Sequence, residues 1–230
     1  MKKILVVIMS FALLLAFTIF APASKAAIPF TDVKATSSVY EPINALYEKK
    51  IVFGVTNSTY KPNQGATRGE TAQMIVNALN WQNEDATNPG YTDTASSKYA
   101  KAIYILSNKG VVTYNSSTKK FNPNNSLTRA QIAKMITLAF ELNISATSKT
   151  PFTDVNKLKD VQTKQYIATL VDYNITKGKT ATKFGPNDKV TRGQLATFLY
   201  KGINNAPVKD GDKSTPVDED DSDFEVIGIE

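Results

Sequence analysis

The chain has 230 residues, a formal net charge of +6, and neither cysteine nor histidine. The missing thiols exclude a disulfide framework and thiolate chemistry, and the missing imidazoles remove the commonest general base and zinc ligand. No cofactor or metal centre is expected, and a binding protein fits this composition better than an enzyme.

The first predicted element is a targeting signal over residues 1–26. Lys2 and Lys3 precede an apolar run from Ile4 to Phe20, and small residues follow from Ala21 to Ala27. That order is the pattern of a secretory signal peptide. Ser24-x-Ala26 suits cleavage before Ala27, with Ala21-x-Ala23 as a competing site. The other reading is a retained anchor, but the run sits at the short limit for a span of about 20 residues. An exported chain without disulfides fits a bacterial surface, with no membrane contact after cleavage.

Three copies of one unit come next, over residues 27–82, 88–144 and 149–205. Phe30-Thr31-Asp32-Val33, Tyr91-Thr92-Asp93-Thr94 and Phe152-Thr153-Asp154-Val155 open them. Each later carries an aromatic residue ahead of a Pro-Asn pair: Tyr60 with Pro62-Asn63, Phe121 with Pro123-Asn124, Phe184 with Pro186-Asn187. Thr67-Arg68-Gly69-Glu70, Thr128-Arg129-Ala130-Gln131 and Thr191-Arg192-Gly193-Gln194 follow in the same order. Such self-similarity marks a repeat architecture.

Each unit reads as helix, loop, helix. Val39, Ile43, Leu46 and Tyr47 share one helical face, as do Tyr99, Ile103 and Leu106, and then Ile167, Leu170 and Val171. Lys50, Gly110 and Asn174 fall where a left-handed residue ends such a helix, a site that suits Lys50 poorly. Thr67, Thr128 and Thr191 are N-cap candidates, with Glu70, Gln131 and Gln194 completing capping boxes. The stripes that follow, such as Ala72, Ile75, Val76 and Leu79, read as core. A unit of this size buries too little surface alone. The fold class expected is therefore all-α, three helix-loop-helix repeats packed with pseudo-threefold symmetry around a shared helical core, with long loops between helices.

Charge is uneven along the chain. Residues 27–207 carry 22 basic against 12 acidic side chains, whereas residues 208–230 carry 2 against 9. A basic body outside the cell favours an anionic partner. Residues 206–230 have the composition of an unstructured acidic tail, a candidate contact for another surface protein.

Of 27 basic residues only three are arginine, namely Arg68, Arg129 and Arg192, each directly after a capping threonine. A cation at the start of a helix costs about 0.3–1 kcal/mol against the dipole, so something must offset it three times. A guanidinium fork matches a carboxylate or phosphate in two parallel bonds, which lysine does not. Three oxyanion sites are one reading. The other is that each arginine pairs with Asp32, Asp93 or Asp154 and staples adjacent units. For those aspartates alone, an Asx turn or N-cap is the simpler role.

Carried by these landmarks over roughly residues 28–204, the chain resembles the S-layer homology domain family of Gram-positive bacteria. The resemblance implies non-covalent attachment to secondary cell wall polysaccharide on peptidoglycan, often through a pyruvate ketal on N-acetylmannosamine. It implies ligand grooves between neighbouring repeats, with Arg68, Arg129 and Arg192 at the motif arginine. Asp32, Asp93 and Asp154 stand at the opening motif, and the glycine after the first helix recurs at Gly54 and Gly178. Tyr114 replaces that glycine in the second unit, and Ser38, Lys98 and Gln162 stand where the family often has tryptophan.

Three function classes remain. Catalysis needs a constellation that occurs once, and here the best carboxylates recur in triplicate. Nucleic-acid binding finds only charge in its favour. A surface protein–protein interaction or S-layer assembly module is the alternative to wall anchoring.

Overall fold

The computed structural model describes residues 28–113 and 117–207. The signal peptide expected at 1–26, the acidic residues from 208 onward and Tyr114 lie outside those residues. The described residues form seven α-helices and no strand: α1 (Tyr40–Glu48), α2 (Arg68–Ala78), α3 (Ala100–Asn108), α4 (Arg129–Ala139), α5 (Thr153–Asn156), α6 (Val161–Asp172) and α7 (Arg192–Asn205).

Helix ends follow local chemistry. Lys50, Gly110 and Asn174 all adopt positive φ, at 56°, 70° and 52°. Beyond each, the next amide donates back to Leu46, Leu106 or Leu170, while the left-handed residue's own amide donates to Tyr47, Ser107 or Val171. This is the Schellman arrangement, which satisfies carbonyls that a helix end leaves free. Lys50 adopts it despite its Cβ, so packing overrides local preference there. At the other ends, Thr67, Thr128 and Thr191 cap α2, α4 and α7, with both halves of the capping box formed in each. Helix α6 departs from its counterparts. It spans 12 residues against 9 in α1 and α3, and Asp160 caps it by accepting from the amides of Gln162 and Thr163. The short α5 ahead of it was not legible in the periodicity.

Inside each unit, the opening motif is tied to the second landmark. Asp32 accepts from the amides of Tyr60 and Lys61 at 2.8 and 2.7 Å. Asp93 does the same for Phe121 and Asn122 at 2.9 and 2.8 Å, and Asp154 for Phe184 and Gly185 at 3.1 and 2.8 Å. The aromatic pairs beside them are equally regular, with centroids at 5.5 Å for Phe30–Tyr60, 5.5 Å for Tyr91–Phe121 and 5.6 Å for Phe152–Phe184.

Between units the packing is cyclic. Helix α2 lies against α3, α4 against α6, and α7 against α1, so the second helix of each repeat covers the first helix of the next. The amide of Ala66 donates to Val190, that of Val190 to Leu127, and that of Leu127 back to Ala66. This closed ring of three hydrogen bonds, one residue from each repeat, marks the pseudo-threefold axis. Ala66, Leu127 and Val190 are fully buried, and the apolar residues of all three repeats form one continuous core.

Candidate functional site

The starts of α2, α4 and α7 are also where the repeats meet. The first two amides of each helix, which have no partner within it, donate across the boundary. Arg68 and Gly69 donate to Asn125 and Pro123, Arg129 and Ala130 to Asp188 and Pro186, and Arg192 and Gly193 to Gln64 and Pro62. Helix starts that could have received an anion from solvent are thus occupied by the neighbour's Pro-Asn loop.

The arginine side chains continue that junction. Each Nε donates to the carbonyl of the neighbour's aromatic residue: Arg68 to Phe121 at 2.7 Å, Arg129 to Phe184 at 2.6 Å and Arg192 to Tyr60 at 2.8 Å. Each guanidinium also lies over the ring of that residue, 4.5, 4.5 and 4.6 Å from the centroids. A carbonyl and a π face together offset the unfavourable position at the helix start. The arginines therefore staple adjacent units, but through Phe and Tyr backbone carbonyls. The pairing with Asp32, Asp93 and Asp154 is not the one used, because those carboxylates are spent on loop amides. They are neither simple Asx turns nor helix caps. Burial would raise the Asp154 carboxyl, but the amides of Gly185, Phe184 and Val155 hold it below the usual range.

Beyond the shared Nε contact, the three arginines part company. Arg192 is 0 % exposed. Its two terminal nitrogens donate to Glu70 Oε1 at 2.8 Å and to the Phe53 carbonyl at 2.7 Å. The expectation that Arg192 presents an outer edge to a ligand is therefore corrected. Its whole fork is inside the protein, where an unpaired cation would be costly and Glu70 neutralises it. Arg68 is half-buried and Arg129 is 4 % exposed. Among the described residues, the terminal nitrogens of Arg68 and Arg129 make no hydrogen bond or ion pair. The edge of Arg68 is thus partly open to the surface, whereas Arg129 lies largely buried between the rings of Phe184 and Phe198, 4.5 and 5.3 Å from their centroids. Burial pulls the Arg129 guanidinium down to about 10, with the Asp188 and Asp154 charges opposing it. Arg68 is lowered by the same cause, against Tyr91 and Asp93.

Gly54 and Gly178 lie beneath the opening-motif rings. A Cβ on Gly54 would fall 2.6 Å from the Phe30 ring and 2.8 Å from the Thr59 carbonyl; one on Gly178 would meet the Phe152 ring and lie 2.7 Å from the Lys183 carbonyl. Close packing is thus sufficient reason for both glycines. Gly69 and Gly193 were missed from sequence. Gly69 lets the Tyr99 ring lie against the start of α2, and Gly193 does so for Val39 on α7. The signal was available as Gly, Ala, Gly after the three arginines. Tyr99 and Tyr166 are buried, so neither offers an open aromatic platform. Beside Tyr99 a hollow of about 330 Å³ opens, lined by Asp93, Ser96, Ser97, Lys98, Tyr99, Pro123 and Asn124. Its hydroxyls, carboxylate and ammonium suit a hydrated polar ligand such as a sugar. Among the described residues, no group of three or more acidic side chains is placed to hold a metal ion.

Comparison with known proteins agrees with this architecture. A family model described as S-layer homology domain matches residues 29–72, 90–133 and 151–196. The chain is 29% identical over 185 residues to an S-layer protein of Bacillus thuringiensis subsp. finitimus, covering 79% of this chain and 22% of that protein. It is 28% identical over 185 residues to the S-layer protein sap of Bacillus anthracis, with the same coverage of 79% and 22%. It is also 29% identical over 184 residues to exoglucanase XynX of Acetivibrio thermocellus, covering 76% of this chain and 16% of that enzyme. The chain spans about a fifth of the length of these relatives.

Proposed function

The chain belongs to the S-layer homology domain family, and from that premise we propose that it anchors non-covalently to anionic, pyruvylated secondary cell wall polysaccharide. It works at the cell surface. The observation that carries the reading is the guanidinium edge of Arg68, held from behind by a carbonyl and a ring and half-exposed at its repeat boundary, with Arg129 held in the same way but mostly buried at the next. A planar cationic fork fixed in this way matches a sugar-borne carboxylate in two parallel bonds. The excess of basic side chains over residues 27–207 draws an acidic polymer toward those boundaries. Two contacts on one rigid body turn the second into an intramolecular event, so modest single affinities add to firm retention. The reaction named for the exoglucanase belongs to that protein, and no catalytic step is part of this reading.

The test mixes mature protein from Ala27 onward with purified sacculi, before and after removal of pyruvate. Co-sedimentation with intact sacculi that survives moderate salt, and its loss after pyruvate removal, is the expected result. A folded Arg68→Lys/Arg129→Lys variant is expected to be retained less, although its charge is unchanged. Equal retention on both kinds of sacculi, or complete elution by modest salt, sinks the reading and points to diffuse charge attraction.

A further inference from the structure

The third residue of each second helix separates the three boundaries. Glu70 has two acceptor oxygens and uses both. Oε2 takes the Thr67 amide at 3.0 Å and Oε1 takes Arg192 at 2.8 Å. Gln131 and Gln194 occupy the same capping position, and each has a single oxygen. That oxygen is committed to the cap, accepting from Thr128 at 2.9 Å and from Thr191 at 3.2 Å. What remains on each glutamine is the amide NH2, a donor. By the cyclic order of the repeats, Gln131 stands to Arg68, and Gln194 to Arg129, as Glu70 stands to Arg192. At two boundaries, then, a donor takes the place of an acceptor beside a guanidinium that is also a donor. Neither can satisfy the other.

We propose that Glu70 is a built-in occupant of the boundary between repeats three and one, standing where a ligand carboxylate binds at the other two boundaries, and that Gln131 and Gln194 keep those two boundaries open. Capping explains none of the difference, since the amide caps as well as the carboxylate does. The chemistry that completes Arg68 with Gln131, or Arg129 with Gln194, is an anionic oxygen acceptor, because the guanidinium and the glutamine amide NH2 both donate and the nearest carboxylates, Asp93 and Asp154, are committed to loop amides. This inference rests on the anchoring reading above and narrows it. The chain has two ligand boundaries and one closed seam, and a single atom pair per repeat, oxygen or nitrogen, decides which is which.

The experiment converts the open boundaries into closed ones. In Gln131→Glu/Gln194→Glu, each new carboxylate can keep its cap and pair with Arg68 or Arg129, as Glu70 does with Arg192. A control variant, Asn83→Asp/Asn143→Asp, adds the same charge at exposed positions in the segments that connect the repeats. Full chains are compared by urea denaturation and by binding to pyruvylated and pyruvate-free sacculi. The site variant is expected to unfold at an equal or higher urea concentration while its apparent Kd for pyruvylated sacculi rises at least about tenfold; the control stays within about threefold of wild type. Wild-type affinity in the site variant, or an equal loss in both variants, overturns the inference while leaving wall anchoring intact. Failure of the wild-type chain to prefer pyruvylated sacculi removes the anchoring reading itself.

Discussion

Arginine and lysine are not exchangeable at the repeat boundaries, and the three positions differ in why. Arg192 satisfies the Tyr60 carbonyl, the Phe53 carbonyl and Glu70 at once from a fully buried fork. A lysine ammonium at that position has neither the planar geometry nor the reach to meet all three, and leaves buried acceptors without partners. Arg192→Lys is expected to destabilise the fold by about 3–5 kcal/mol. Arg68→Lys loses one carbonyl contact at a half-buried site, and is expected to cost about 1 kcal/mol. Urea midpoints of the two variants, measured together, check the contrast; similar losses would show that the Glu70 pairing adds nothing special. On the proposed anchoring reading the order is expected to reverse in sacculus binding, since Arg192 has no edge left for a ligand.

At the scale of the element, the three first helices end in one geometry built from three different residues. Lys50, Gly110 and Asn174 share left-handed φ values and the same pair of returning hydrogen bonds. A Cβ in that region costs on the order of 1 kcal/mol, which glycine avoids and asparagine reduces. Lys50→Gly is expected to raise stability by about 0.5–1 kcal/mol, and Gly110→Lys to lower it by a similar amount. No heavy atom lies within 4 Å of where a Gly110 Cβ would stand, so the second change tests backbone conformation without a clash. Thermal or urea unfolding of both variants decides it. Opposite signs support the conformational account, and two losses would place the cost elsewhere.

Across the whole molecule, stability belongs to the ring and not to any unit. The second helix of each repeat covers the first helix of the next, and the axial hydrogen bonds among Ala66, Leu127 and Val190 close only with all three present. Linear repeat arrays shed a terminal unit with the loss of one interface; a closed ring loses two. A fragment of residues 28–144 would expose the faces of α1 and α4 that α7 and α6 cover, and would leave the Ala66 amide and the Leu127 carbonyl without partners. It is expected to show no cooperative urea transition by near-ultraviolet circular dichroism, whereas the full chain shows one. A sharp transition in the fragment would mean that two repeats suffice.

Periodicity, caps and self-similarity are local properties, so the sequence carried the all-α class, the three repeats, the capping boxes at Thr67, Thr128 and Thr191 and the left-handed ends. It also marked the arginines as exceptional, because a cation after each cap contradicts the dipole and demands a reason. The reason itself was out of reach. Which acceptor a guanidinium finds depends on a neighbouring repeat more than 50 residues away, and the carbonyls of Tyr60, Phe121 and Phe184 have no signature in side-chain identity. The aspartates were misplaced for the same cause, since their partners are backbone amides brought near only by the loop's return. The change from Glu70 to Gln131 and Gln194 was visible from the start as a harmless variation in a cap. Only the tertiary structure, by facing Glu70 with the buried Arg192, gave that change a consequence beyond the cap, on which the proposal of one sealed boundary rests.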